Sequence, residues 1–128
     1  MTLHHPAPLL LHRLAFARAG DKGNRANIAL VCRVPEAFPA LAEQVTAEAV
    51  AAHFASRHPT RVVRYDLPSL GAFNFVLDDV LEGGVNASLG LDGHGKSLSF
   101  CLLELELAPT PKVQEALCLL AANTLATI

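Results

Sequence analysis

The stretch "FARAGDKGNRANIALVCR", residues 16–33, places a polar cluster with two glycines between two apolar runs. Short runs rich in Leu, Ile and Val that are bounded by turn residues favour β-strands, although periodicity alone also admits a buried helical segment. We therefore expect strands within residues 9–18 and 26–34, joined by a turn at the polar cluster. The cluster itself is either a solvated turn or the place where the protein binds something.

Downstream, the sequence alternates between helical and strand patterns. Apolar residues return at helical spacing after Pro35, so we expect one amphipathic helix over residues 35–57, ended by the His58-Pro59 dipeptide. "RVVRYDL", residues 61–67, is typical of a strand. "LGAFNFVLDDVL", residues 70–81, predicts a short helix that closes at the following glycines.

The last third of the chain predicts a hairpin and a terminal helix. Residues 85–91 alternate, "DGHGK" suits a reversal, and residues 97–107 then return, so a hairpin over residues 85–107 is expected. In its second arm the apolar face changes sides near Leu102, which requires a bulge or burial on both faces. Thr110 and Pro111 are typical N-cap and first-turn residues of a C-terminal helix.

This order of elements predicts an α+β fold. Strand pairs separated by helices indicate a ferredoxin-like sandwich, with helices on one face of a mainly antiparallel sheet and an added C-terminal helix. We expect an N-terminal tail at residues 1–8, one α+β domain at residues 9–107 and the C-terminal helix at residues 108–128.

Composition excludes several classes of protein. The chain is 52% hydrophobic with a formal net charge of -2, and its ten Lys and Arg residues are scattered in the sequence, so we expect no nucleic-acid partner. No apolar run is long enough for a membrane span, and no leader pattern is present. Three cysteines in apolar runs predict buried, reduced thiols in a cytoplasmic protein, and the high apolar content favours a homo-oligomer.

The polar cluster supplies the candidate site. Lys22 and Arg25 could neutralise an anion, backbone N–H groups freed by the glycines could form an anion-binding nest, and Asp21 could act as a general base or orient Lys22. The cluster residues concerned are Asp21, Lys22, Gly23, Asn24, Arg25 and Asn27. The plain alternative is a turn, because Gly, Asp and Asn are what turns require and no phosphate-loop motif is present.

Two further positions join the candidate site. Asn74 lies between two phenylalanines, so it either braces the chain through hydrogen bonds or faces a ligand. Gly84 could bring backbone close to the same place, or it is only part of a turn. The histidines show no metal-ligand spacing, so we expect no metal site, and no nucleophile signature is present.

Several sequence blocks in a fixed order resemble the small AtuA-like domain, named for the acyclic terpene utilisation protein AtuA. The blocks are "GDKGNRANI" at residues 20–28, "YDLP" at 65–68, "NFVL" at 74–77, "GGVNASL" at 83–89 and "DGHGK" at 92–96. The chain departs from the family pattern at Glu82, which replaces the first of three glycines, and at Ala29, which replaces a glycine.

The resemblance implies a ferredoxin-type fold and a setting in branched-chain or terpenoid acid catabolism, where intermediates are commonly coenzyme A thioesters. It suggests an accessory subunit or binding module of a larger AtuA-type protein that acts on acyl-CoA or carboxylic acid intermediates. In that role Asp21 and Lys22 would lie nearest the ligand. We expect no resident cofactor in the protein, and the ligand itself could be a coenzyme A thioester. Two alternatives stay open: a homo-oligomeric lyase, hydratase or isomerase, and a structural oligomerisation module. Whether the chain is itself an enzyme is undecided at this point.

Overall fold

The computed structural model describes residues 7–80 and 93–126, which form four strands and four α-helices joined by short 3-10 turns. The strands are β1 (Ala15–Lys22), β2 (Arg25–Cys32), β3 (Arg61–Leu67) and β4 (Ala72–Asp78). The helices are α1 (Ala37–Gln44), α2 (Ala47–His53), α3 (Gly93–Leu103) and α4 (Pro111–Ala126).

The four strands form one antiparallel sheet in the order β1-β2-β4-β3. β1 and β2 make one hairpin, β3 and β4 make another, and β2 pairs with β4 in the centre. The register places Ile28 opposite Phe75 and Ala29 opposite Asn74. Because strand side chains alternate, this register decides which residues of all four strands share a face.

One face of the sheet forms the core, which we call the inner face. It contributes the alternate residues Ala26, Ile28 and Leu30 of β2 and Phe73, Phe75 and Leu77 of β4, all of which are buried. The helices add Leu41, Val50, Leu98 and Leu102 to the same cluster, and the Phe38 ring stacks on the Phe73 ring at 4.5 Å. This arrangement confirms the predicted α+β, ferredoxin-like sandwich with a C-terminal helix.

The segment expected to form a helix at residues 70–81 is instead the central strand β4, so that prediction was wrong. Its burial alternates from Phe73 to Leu77, with Asn74 and Val76 only half-buried. Phe73, Leu77 and Val80 also satisfy a helical repeat, but β4 hydrogen-bonds to β2 on one side and to β3 on the other. Pairing on both sides decides the conformation of this short segment.

The expected hairpin over residues 85–107 was also wrong in its second arm, and its first arm lies outside the described residues. Residues from Gly93 to Leu103 form helix α3, in which Leu98 and Leu102 are buried while Phe100 is 63% exposed. The change of apolar face near Leu102 therefore reflects a helical repeat with buried residues four apart. The Leu11 N–H donates to the Leu105 carbonyl at 2.8 Å, which ties the segment after α3 to the 3-10 turn that precedes β1.

The single helix expected over residues 35–57 is divided into α1 and α2. The division falls at Thr46, whose backbone is extended and whose Oγ1 accepts a hydrogen bond from the Ala49 N–H at 3.0 Å. This contact caps α2, and α1 ends two residues earlier, at Gln44. Arg64 of β3 satisfies carbonyls at the end of α1, since its Nη1 donates to Ala42 and Val45 at 2.9 and 3.1 Å.

The C-terminal helix begins at Pro111, as predicted, and packs against α1. Thr110 Oγ1 accepts a hydrogen bond from the Val113 N–H at 3.3 Å, and Val113 is fully buried. The Gln44 side chain makes two hydrogen bonds with the backbone of Ala108, accepting from N at 2.6 Å and donating to O at 3.0 Å. Gln44 thus fixes the segment that leads into α4. No helix in the described part of the chain is long and apolar enough to cross a membrane.

Replacing Gln44 with Ala should lower the free energy of unfolding by about 1–2 kcal/mol, because two hydrogen bonds to the Ala108 backbone are lost. Glu43→Ala is the matched control, since it removes only the exposed ion pair with Lys112 and should cost about 0.3 kcal/mol. Urea unfolding followed by circular dichroism measures both. Equal losses in the two variants would show that the Gln44 contact does not hold α4.

Candidate functional site

The polar cluster forms the tight turn between β1 and β2. Gly23 and Asn24 are its two central residues, and Gly23 has a φ of 65° while Asn24 has none in the positive range. A glycine with positive φ at the first central position is typical of a type II′ hairpin turn. Gly20, which was expected to free a backbone N–H, instead lies within β1 opposite Asn27, so it adds no turn N–H to the expected nest.

The register places four of the predicted site residues on the face opposite the core, which we call the outer face. Lys22 pairs with Arg25 across the hairpin, and Asn27 and Asn74 belong to the same alternation in β2 and β4. Asp21, in contrast, lies opposite buried Ala26 and so belongs to the inner-face alternation. Adjacent strand residues project to opposite faces of a sheet, so Asp21 and Lys22 do not form an acid/base pair.

Asn27 and Asn74 meet across the two central strands. Asn27 Nδ2 donates to Asn74 Oδ1 at 3.4 Å. Asn74, which lies between two phenylalanines, is thus braced by a residue of the sequence block 20–28. Gly20 leaves room for this arrangement, because a Cβ at that position would lie 3.3 Å from Asn27 Oδ1. The bond leaves the Asn74 amino group as a donor and the Asn27 carbonyl oxygen as an acceptor on the outer face.

Arg25 forms an ion pair with Asp78 at the same end of the sheet. Arg25 Nε donates to Asp78 Oδ1 at 2.6 Å, and this hydrogen bond raises the pKa of Arg25. The Asp78 side chain is 21% exposed and the Arg25 side chain 63%. The ion pair therefore fixes the Arg25 side chain through its Nε atom, while most of that side chain stays exposed to solvent.

An open cleft of about 480 Å³ lies at this end of the sheet, lined by Lys22, Asn24, Arg25, Asp78 and Asp79. Asp79 has a φ of 63°, in the left-handed region, and its Oδ2 accepts a hydrogen bond from Thr60 Oγ1 at 2.6 Å. The Thr60 N–H also donates to the Asp78 carbonyl at 3.1 Å. Such a conformation costs about 1–2 kcal/mol in a residue with a side chain, and these bonds offset it.

Sequence reasoning missed Asp78 and Asp79 as residues of this cleft, and Thr60 as the residue that holds them through hydrogen bonds. The acidic pair was visible directly after "NFVL", but a helical interpretation of residues 70–81 gave it no partner. Thr60 lies far from the turn in sequence and joins it only through the pairing of β3 with β4. Gly84 lies outside the described residues.

The cleft brings two cationic side chains, Lys22 and Arg25, together with two carboxylates, Asp78 and Asp79. Within the described ranges, Lys22 makes no ion pair, and no group of three or more His, Cys, Asp and Glu residues could hold a metal. Burial raises the pKa of Cys32 to about 11 and also raises that of Cys101. Both thiols are thus poor nucleophiles at neutral pH. Cys32 and Cys101 are only half-buried and Cys118 is exposed, so the expectation of three buried thiols was wrong.

The fold and this outer-face cleft define a small α+β domain of the ferredoxin-like class with a polar site at one end of its sheet. A family model for the AtuA ferredoxin-like domain matches residues 9–108. The chain belongs to that family, which confirms the resemblance carried by the sequence blocks. Comparisons with curated proteins and with solved structures found no match.

Replacing Gly23 with Ala should destabilise the hairpin by about 1 kcal/mol, because alanine is strained at a φ of 65°. Asn24→Ala, at the neighbouring turn position without positive φ, should change stability by less than about 0.5 kcal/mol. Thermal unfolding of both variants tests this. A Gly23→Ala variant as stable as the wild type would contradict the described turn.

The thiols should differ in reactivity. Cys118 should react first with a thiol reagent at pH 8, because it is exposed. Cys32 should react last, since with a pKa of about 11 only about a thousandth of it is thiolate at that pH. Its rate should rise about tenfold per pH unit between pH 8 and 10. Mass spectrometry of peptides after timed labelling measures the order, and rapid labelling of Cys32 at pH 8 would contradict it.

Proposed function

We propose that this protein is an accessory subunit or binding module of a larger AtuA-type protein, and that its outer-face cleft helps to hold a carboxylic acid or acyl thioester. The observation that carries the proposal is the convergence of separate sequence blocks on one exposed face. The hairpin turn contributes Lys22 and Arg25, and β4 contributes Asn74 and Asp78. Two contacts join the blocks, Asn27 to Asn74 and Arg25 to Asp78.

The proposed ligand contacts follow from the chemistry of each group. Lys22 offers an exposed ammonium group without an ionic partner among the described residues, which suits a carboxylate or phosphate oxygen. Asn24 lines the same cleft. The Asn27–Asn74 pair offers a donor and an acceptor on the same outer face, and a donor there fits the carbonyl oxygen of a thioester.

The accessory role is favoured over independent catalysis by the placement of the titratable groups. Asp21 and Lys22 project to opposite faces, so they do not form one acid/base pair in this chain. The cleft is open, and catalysis generally needs a site from which water is excluded. A larger partner that covers the cleft would supply both the enclosure and the missing groups. We further propose that the protein acts in the cytoplasm, where its three free cysteines would stay reduced.

Replacing Lys22 with Ala should weaken binding of a branched short-chain acyl-coenzyme A thioester, or of its free acid, about five- to tenfold, because one charge-assisted contact is lost. Lys112→Ala on α4 is the matched control and should leave the affinity unchanged. Isothermal titration calorimetry with the chain alone, and with the larger AtuA-type protein present, measures the effect. Equal affinities of Lys22→Ala and the wild type would contradict a role for this cleft.

The partner is tested by gentle recovery of the tagged chain from its own host, followed by mass spectrometry. Recovery of a larger AtuA-type protein in a fixed ratio would support the accessory role. Recovery of a homo-oligomer without it, together with turnover of a thioester by the purified chain, would favour an independent enzyme and contradict the proposal.

A further inference from the structure

The outer face of the sheet carries a strong surplus of positive charge. The register places Arg18, Lys22 and Arg25 on this face. Arg61 of β3 lies on the same face, opposite Asp78 of β4. Arg33, which follows β2, reaches the face beside Phe16. Asp78 is its single acidic residue within the four strands, and Asp79 lies just beyond β4. The face therefore carries three to four surplus positive charges, although the whole chain has a net charge of -2.

All five of these cations are exposed, and four of them form no ion pair with a described carboxylate. In the described ranges only Arg25 pairs with a carboxylate on this face. Arg33 is fixed by two contacts: its Nε donates to the His12 carbonyl at 3.0 Å, and its guanidinium lies 3.9 Å from the centre of the Phe16 ring. Arg18 is exposed at the middle of β1, opposite the small residue Ala29.

An apolar row crosses the same face at the end away from the hairpin turn. Phe16, Val31 and Leu67 lie in one line across the strands and are 52%, 39% and 40% exposed. Exposed aromatic and aliphatic side chains rimmed by arginines are the composition found at protein–protein interfaces. The face thus combines an apolar strip with a basic field.

We propose that the outer face docks onto an acidic, partly apolar surface of a partner protein. The proposal rests on the proposed function in taking this partner to be the larger AtuA-type protein. Opposite charge on the partner would neutralise Arg18, Lys22 and Arg61 and would orient the domain as it approaches. Docking there would also cover the cleft at the hairpin turn.

Two other occupants fit the face less well. A second copy placed face to face would bring the surplus positive charges of both copies together, which opposes association. A single-stranded nucleic acid would need aromatic platforms close enough for successive bases. Phe16 and Tyr65, the exposed aromatics of this face among the described residues, lie on the two opposite edge strands. They are separated by about 14 Å across three strand spacings and by two residues along the strands.

The first test measures the affinity of the full chain for the purified larger AtuA-type protein. Arg18→Glu should weaken it about tenfold, and Lys112→Glu, the same change of charge on α4, should not. Raising the ionic strength from about 0.05 M to about 0.3 M should weaken the wild-type complex by a similar factor. Circular dichroism checks that both variants are folded. Binding that is unaffected by Arg18→Glu and by salt would overturn the docking face while leaving the accessory role intact.

The second test uses poly-glutamate as a model acidic surface, with a single-stranded oligonucleotide as a competing polyanion. The wild type should retain poly-glutamate at low salt, and Arg18→Glu should lose this binding while Lys112→Glu keeps it. If that pattern holds but the larger AtuA-type protein does not bind, the proposed function fails and the basic docking face stands. Tighter binding of the oligonucleotide, or equal behaviour of the two variants, would overturn the docking face.

Discussion

The pairing of β2 with β4 is the constraint on which the rest of the structure depends. Ile28 opposite Phe75 and Leu30 opposite Phe73 place four large apolar side chains on the inner face, where the helices cover them. A shift of β4 by one residue would bury Asn74 and expose Phe73 and Phe75, so the hydrophobic pattern specifies a single register. The same register assigns Lys22, Arg25 and Asp78 to the outer face, and the site follows from the packing of the core.

The sequence was sufficient to predict the elements whose signals are local. The turn between β1 and β2, the strand at residues 61–67 and the cap at Thr110 are all readable within a few positions, and all are present in the structure. Thr46 could also be identified, since threonine is a favoured N-cap whose hydroxyl accepts from the N–H three residues later. The helical periodicity on both sides concealed the break. Local signals thus predicted the fold class, although they joined α1 and α2 into one helix.

Two elements depended on contacts that are distant in sequence. Residues 72–78 fit both a helical and an alternating repeat, and only their position between β2 and β3 makes them a strand. In α3 the anomaly was visible: a strand interpretation required the apolar face to switch near Leu102, whereas a helix places Leu98 and Leu102 on one face without any irregularity. When a strand interpretation requires such a break in its alternation, the break itself favours a helix.

The candidate site shows the same division between local and distant information. The turn residues and Asn74 could be identified from sequence, but the alternation along β1 already separates Asp21 from Lys22, and this consequence depends on the strand continuing through both residues. Asp78 joins the cleft only because β4 runs antiparallel to β2. The basic residues look scattered along the chain, yet alternation on β1, β2 and β3 gathers four of them on one face, and Arg33 joins them beside Phe16. Charge distribution in a sheet protein is therefore a property of register, and residue counts along the sequence underestimate it.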